Sequence, residues 1–220
     1  MISKRLFVAI LASLASLASM NAYCADGKWV LVSNDICNLR SAANSSSALV
    51  EVLPKFSPLK ILGEKSGEYY KAETKKGKTG WAHQSVIAAS DFVSVSLPDT
   101  NLRQAAGKDS QVAFIVQKGW PLRVLDRQDE YLQVEDFEKD ITWVHISRVA
   151  LDPSCIVVKA SSTGRTSADE QAPPVFDAEK GVVFKVVSVV SGGWVQVKHV
   201  DGNVGFVQAS DVWGATVKNL

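Results

Sequence analysis

The sequence predicts an all-β chain made of three tandem copies of one small module. Three observations carry this expectation. Landmarks recur 62 or 63 residues apart, as in Asn38-Leu39-Arg40, Asn101-Leu102-Arg103 and Thr163-Gly164-Arg165. Short apolar runs alternate with polar residues between Gly, Pro, Asn and Asp, which is the period of strands. Helical periodicity is almost absent. A repeat whose spacing persists while its residues drift is first an architectural signal, because every copy must keep a packing pattern.

A leader precedes the repeats. Lys4 and Arg5 stand before the apolar run Leu6 to Met20, which ends in small residues around Ala22 and Ala25. This pattern predicts a cleaved signal peptide over 1–24, since the run is short for a membrane span and no later segment is apolar enough to be one. Cleavage after Cys24 puts Ala22 at the minus-three position, whereas cleavage after Ala25 would put bulky Tyr23 there. The mature chain is expected to be periplasmic or secreted.

Removing Lys4 and Arg5 leaves 22 basic against 23 acidic residues, a net charge of −1. That balance gives no basic surplus for a nucleic-acid partner. Two cysteines, Cys37 and Cys155, remain in an oxidising compartment and form a candidate disulfide that would staple the first unit to the third. Their spacing does not suggest a metal site, and no cofactor is expected.

The units are expected at 28–90, 91–151 and 152–213, with short joints at 88–91 and 151–154. Each opens on a strand (Trp29 to Ser33, Phe92 to Ser96, Cys155 to Lys159) followed by a polar loop carrying the arginine. In the next predicted strand Leu59, Leu122 and Phe184 share a face with Ile61, Val124 and Val186, while Lys60, Arg123 and Lys185 alternate outward. A hairpin follows, turning at Lys76-Gly77-Lys78 and Asp201-Gly202, with Lys139 at the glycine position of the second unit. Before the turn Tyr70, Leu132 and Val195 are in phase with Ala72, Val134 and Val197, so this set points inward. Tyr69, Tyr131 and Trp194 must then point outward. After the turn Ala82, Val144 and Val207 point inward, leaving Trp81, Trp143 and Phe206 outside beside His83, His145 and Gln208.

The order of these motifs, an Asn-Leu-Arg opening with its Ser-rich loop Asn44 to Ser47, a Lys-x-x-Pro-Leu-Lys strand, and Gly-Trp-x-His after the hairpin, resembles the bacterial SH3-like domain. That family is a small five-stranded β-barrel found in tandem in exported cell-envelope proteins. The resemblance spans 28 to about 213 and implies three SH3-like barrels. It departs in the third unit, at Gly164 and Phe206 and in the acidic, proline-bearing loop Ala168 to Pro174.

The resemblance implies a non-enzymatic binding or scaffold protein, with cell-wall peptidoglycan or envelope proteins as partners. Arg40, Tyr69 and Trp81, and in the second unit Arg103, Tyr131 and Trp143, are the candidate ligand-binding residues. Aromatic faces stack on sugars or peptides, and an arginine can hold a carboxylate through two parallel hydrogen bonds. The same residues have a plainer reading in which the aromatics pack against the next unit and each arginine ties down its own loop. Two further functions stay open, a purely structural protein adaptor and a cell-wall hydrolase. The second has little support, because three scattered histidines and Cys37 form no visible nucleophile and base pair.

Overall fold

A computed structural model describes residues 27–214. The expected signal segment 1–24, with Cys24, lies outside the described residues. Three seven-stranded antiparallel sheets follow one another along the chain. The first holds β1 (Trp29–Val32), β2 (Ile36–Arg40), β3 (Leu49–Pro54), β4 (Pro58–Ser66), β5 (Tyr69–Thr74), β6 (Thr79–His83) and β7 (Ile87–Ala88). The second holds β8 (Phe92–Val95), β9 (Thr100–Arg103), β10 (Val112–Val116), β11 (Pro121–Gln128), β12 (Tyr131–Glu135), β13 (Ile141–His145) and β14 (Val149–Ala150). The third holds β15 (Ser154–Val157), β16 (Ser161–Arg165), β17 (Pro174–Glu179), β18 (Val183–Val190), β19 (Trp194–Lys198), β20 (Val204–Gln208) and β21 (Val212–Gly214). Among the described residues no helix is long and apolar enough to cross a membrane.

Strand order is the same in each, beginning β3-β2-β6-β5-β4-β1-β7 in the first. Each sheet wraps on itself, because residues from distant positions in that order share one core: Leu53 of β3 meets Val30 and Val32 of β1, and Ala178 of β17 meets Cys155 of β15 and Val212 of β21. Register shifts in β4, β11 and β18 supply the bend, that in β4 falling between Ile61 and Lys65 and containing Gly63 at φ 81°.

The alternation of the hairpin strands is realised. Ala72, Ala82, Leu132, Val134, Val144, Val195, Val197 and Val207 are fully buried, and Leu59, Leu122 and Phe184 lie beside them in their cores. Lys139 does take the glycine position, at φ 74°, in a turn whose Asp136 carboxylate accepts from the amides of Glu138 and Asp140 at 2.9 and 3.0 Å. One outward position differs from expectation: Trp194 is buried, where Tyr69 and Tyr131 are half-buried.

The candidate disulfide is corrected. Cys37 and Cys155 are free thiols, fully buried in the separate cores of the first and third sheets. The physical reason is parity: each occupies an inward position of its strand, so each side chain is committed to its own module.

The modules pack on one another through different contacts at the two joints. Phe56 of the first module lies 5% exposed within the second module's core cluster, together with Leu31. It does so at φ 66°, where the equivalent residues are Gly119 and Gly181 at 89° and 93°. A left-handed conformation costs a residue with a Cβ about 1–2 kcal/mol, so the ring's burial between modules offsets backbone strain. Arg127 reinforces the joint by donating from Nη1 to the carbonyl of Lys55.

At the second joint the rings of Phe92 and Trp213 meet edge to face at 4.9 Å, with the Arg123 guanidinium 5.2 and 6.0 Å from their centroids. The same arginine pairs with Asp91 and Glu135, each at 3.4 Å. Burial pushes the Asp91 carboxyl above its ordinary range despite that attraction. Ser94 and Ser154 are linked through their hydroxyls at 2.6 Å, and Lys180 reaches Glu138 at 3.2 Å.

Candidate functional site

Antiparallel pairing draws the outward residues of β2, β6 and β5 into rows. Arg40 pairs with Trp81, and Trp81 with Lys71. In the second module Arg103, Trp143 and Gln133 form the matching row, and in the third Arg165, Phe206 and Gln196. A second row pairs Tyr69 with His83 and Tyr131 with His145, their rings edge to face at 4.9 and 5.1 Å. The sequence-based candidates are therefore brought together module by module: Arg40, Tyr69 and Trp81 on one half-buried face, Arg103, Tyr131 and Trp143 on another.

The arginines have a job inside their own modules. Nη1 of Arg40 donates to the Ser47 carbonyl at 2.7 Å, that of Arg103 to Ser110 at 2.6 Å, and that of Arg165 to Ala172 at 2.8 Å. The loop so fastened is also tied by its serine: Ser47 Oγ donates to Ala42 O at 2.9 Å, and Ser110 Oγ accepts from the Ala105 amide at 2.9 Å. Because the arginine bond recurs in the third module, where the aromatic partners have changed, it belongs to the fold and leaves the other guanidinium N–H groups as the part that can meet a ligand.

The histidines are likewise engaged. Nδ1 of His83 accepts from the Ser85 amide at 3.2 Å, capping the 3₁₀ turn Gln84–Val86, and Nε2 lies 3.0 Å from Glu68. A neutral ring that accepts at Nδ1 carries its proton on Nε2, which then donates to the carboxylate. His145 repeats this with Ser147 at 3.2 Å and Glu130 at 3.5 Å. His199 instead pairs with Asp201 at 3.0 Å, where the Asn203 amide and His199 hold the carboxyl below its ordinary range. Among the described residues no group of three or more His, Cys, Asp or Glu gathers as a metal site. Burial pushes the Cys37 thiol up to about 11 and the Cys155 thiol up to about 12, away from the thiolate that a nucleophile requires.

An aliphatic rim that the sequence reading did not pick out extends both rows. Val52 pairs with Asn38 and Leu49 with Arg40; in the second module Ile115 pairs with Asn101 and Val112 with Arg103. Val52 is 50% and Ile115 62% exposed. The third module has Asp177 and Pro174 at these places, Asp177 accepting from Thr163 Oγ1 at 2.7 Å. The signal was available in the apolar residues of 49–52 and 112–115, which lie in the strand after the arginine loop.

The third module has also exchanged core volume. A Cβ on Gly164 would lie 2.2 Å from the Phe176 ring, and Phe176 packs at 5.4 Å from Phe184. Phe176 thus fills the space that Leu39 and Leu102 occupy in the other modules.

Family models described as "Bacterial SH3 domain" match residues 35–88, 98–150 and 165–214. No curated protein matches the chain significantly. Similar solved structures include NlpC2 from Trichomonas vaginalis, 8% identical, covering 86% of this chain and 94% of that one at a TM-score of 0.28. NlpC1 from Trichomonas vaginalis is 10% identical, with 94% and 99% covered and a TM-score of 0.27. An NlpC/P60 family protein from Bacillus cereus is 9% identical, with 85% and 98% covered and a TM-score of 0.24. Likeness at these scores carries no weight for the function of this chain.

Proposed function

Because the chain belongs to the bacterial SH3 domain family, as three modules in tandem, we propose that it is a non-enzymatic binding protein of the cell envelope, periplasmic or secreted, which engages peptidoglycan or envelope peptides through its first two modules. Bacterial SH3 domains suggest cell-wall binding as a class. The observation that supports the assignment to particular residues is the doubled outward face: Arg40, Trp81 and Tyr69 with Val52, and Arg103, Trp143 and Tyr131 with Ile115. A half-buried indole set between an arginine and Lys71 or Gln133, with a tyrosine–histidine pair and an exposed Val52 or Ile115 in the next row of the same face, offers apolar surface edged by hydrogen-bonding groups, suited to a sugar ring or an extended peptide.

Two equivalent faces on one chain suit a repeating polymer, since the second engagement is intramolecular once the first has formed. The third module lacks both the tryptophan and the aliphatic rim, and its role in this reading is to pack against the second. Titration of tryptophan fluorescence with soluble peptidoglycan fragments tests the reading: a saturable change that disappears in the Trp81→Ala and Trp143→Ala double variant supports it, and no change counts against it. A purely structural adaptor is the second reading, favoured by the arginines, which fasten their own loops in all three modules.

A further inference from the structure

A cavity of about 310 Å³ opens where the first module meets the second, and of the residues named on the outward faces it takes in Val52 alone, neither the arginines nor the aromatics lining it. Glu51 of the first module, which pairs with Lys78, and Arg127 of the second, which is attracted to Asp129 and Glu130, break the pattern, but the remaining charges are sorted by module. Lys75 and Lys76, at the exposed tip of the β5–β6 hairpin, come from the first; Asp126, in β11, and Asp129, in the β11–β12 turn, come from the second. These groups do not neutralise one another. Lys75 lies over the Trp29 ring at 4.3 Å, and Asp126 accepts from the Arg127 amide at 2.8 Å. Among the described residues neither lysine is ion-paired with either aspartate.

Three further features belong to a binding site more than to a crevice. Arg127 is fixed between the walls, donating from Nε to the Asp129 carbonyl at 2.9 Å and from Nη1 to Lys55, so the relation of the two walls is set by a residue of the cleft itself. Glu51, also in the lining, pairs through Oε1 with Lys78 at 3.5 Å, while its Oε2 is buried with no hydrogen-bond partner among the described residues. Such an acceptor is unfavourable until a donor reaches it. Pro54 and Pro58 add rigid apolar lining. The volume is at the small end of ligand sites, about 300–1,000 Å³, which concentrate at domain interfaces.

A ligand of one sign would be attracted by one wall and repelled by the other, whereas a dipolar one gains from both. We propose that this inter-module cleft binds a short zwitterionic peptide, its carboxylate toward Lys75 and Lys76 and its ammonium toward Asp126 and Asp129. The same hairpin tip in the second module carries Glu138 and Asp140 and is joined to Lys180 of the third, so the cationic wall is particular to the first joint.

The test is an NMR titration of the mature chain with tri-alanine, its N-acetyl form and its C-terminal amide, alongside Lys76→Gln and Asp129→Asn. Asn is suitable because residue 129 sits at φ 51°, a conformation it tolerates. Tri-alanine is expected to shift the amides of Lys76 and Asp129 saturably. Capping either end, or making either substitution, should weaken binding at least about tenfold, while Trp81→Ala and Trp143→Ala leave it unchanged. Absence of saturable shifts at these amides, equal binding of the capped peptides, or full binding by both charge variants overturns the proposal. The tryptophan variants separate this cleft from the outward faces, so one site can fail without the other.

Discussion

The Arg40 guanidinium donates from Nη1 to the carbonyl of Ser47, seven residues ahead, at 2.7 Å. This bond closes the loop between β2 and β3 and leaves Arg40 in line with Trp81. Arg40→Ala is therefore expected to lower the stability of the first module by about 1–2 kcal/mol, the scale of a half-exposed charge-assisted hydrogen bond. Urea unfolding measures it. A variant that loses ligand binding with unchanged stability would show that the arginine acts on ligand alone.

Phe56 gives a prediction about order. Removing its ring should cost about 3–5 kcal/mol in either Phe56→Ala or Phe56→Gly, and the joint between the first two modules should loosen. At φ 66° the usual advantage of Ala over Gly is cancelled, so the Gly variant should be as stable as the Ala variant or better by up to about 1 kcal/mol. Clearly greater stability of Phe56→Ala would contradict the left-handed assignment.

Restoring leucine in the third module should fail. Gly164→Leu puts a side chain where Phe176 stands and should destabilise by about 1–3 kcal/mol or more. Phe176→Ala in that background should recover part of the loss, giving a favourable coupling in a double-mutant cycle. Additive losses would mean that the two residues do not share the space.

The buried thiols make stability fall at alkaline pH. Their folded values, about 11 for Cys37 and about 12 for Cys155, lie above the ordinary 9.0. Above about pH 9 the unfolded chain therefore holds fewer protons than the folded one. The thiol contribution is fully present below that pH and is lost as pH rises through the folded values. Urea midpoints at pH 8 and pH 10 should show a smaller fall for a Cys37→Ala, Cys155→Ala variant than for the parent chain. Thiol reagents at pH 8 should label Cys37 and Cys155 on unfolding and react with them slowly before it.

The inward and outward sets of the hairpin were legible because parity in a strand is local: Tyr70 and Ala72 against Tyr69, and Ala82 against Trp81, need only a count of two. The same count would have placed Cys37 and Cys155 in separate cores, had their strands been phased as the hairpin was. What crosses strands or modules was hidden. Arg40 meets a carbonyl that a side-chain pattern cannot display, and Gly164 looks like drift until Phe176 is seen in its space. Phe56 resembles a lost turn glycine until the next module's core is beside it, and the Lys75, Lys76, Asp126 and Asp129 cleft exists only once two modules are docked.

The central claim is that the outward tryptophans of the first two modules hold the chain to a cell-envelope polymer. Co-sedimentation of the mature protein with purified cell-wall sacculi, beside the Trp81→Ala, Trp143→Ala double variant, tests it most directly. The account expects the parent to pellet with sacculi and the variant to stay in the supernatant with its circular dichroism unchanged. A parent that stays in the supernatant, or a folded variant that pellets equally well, would contradict it.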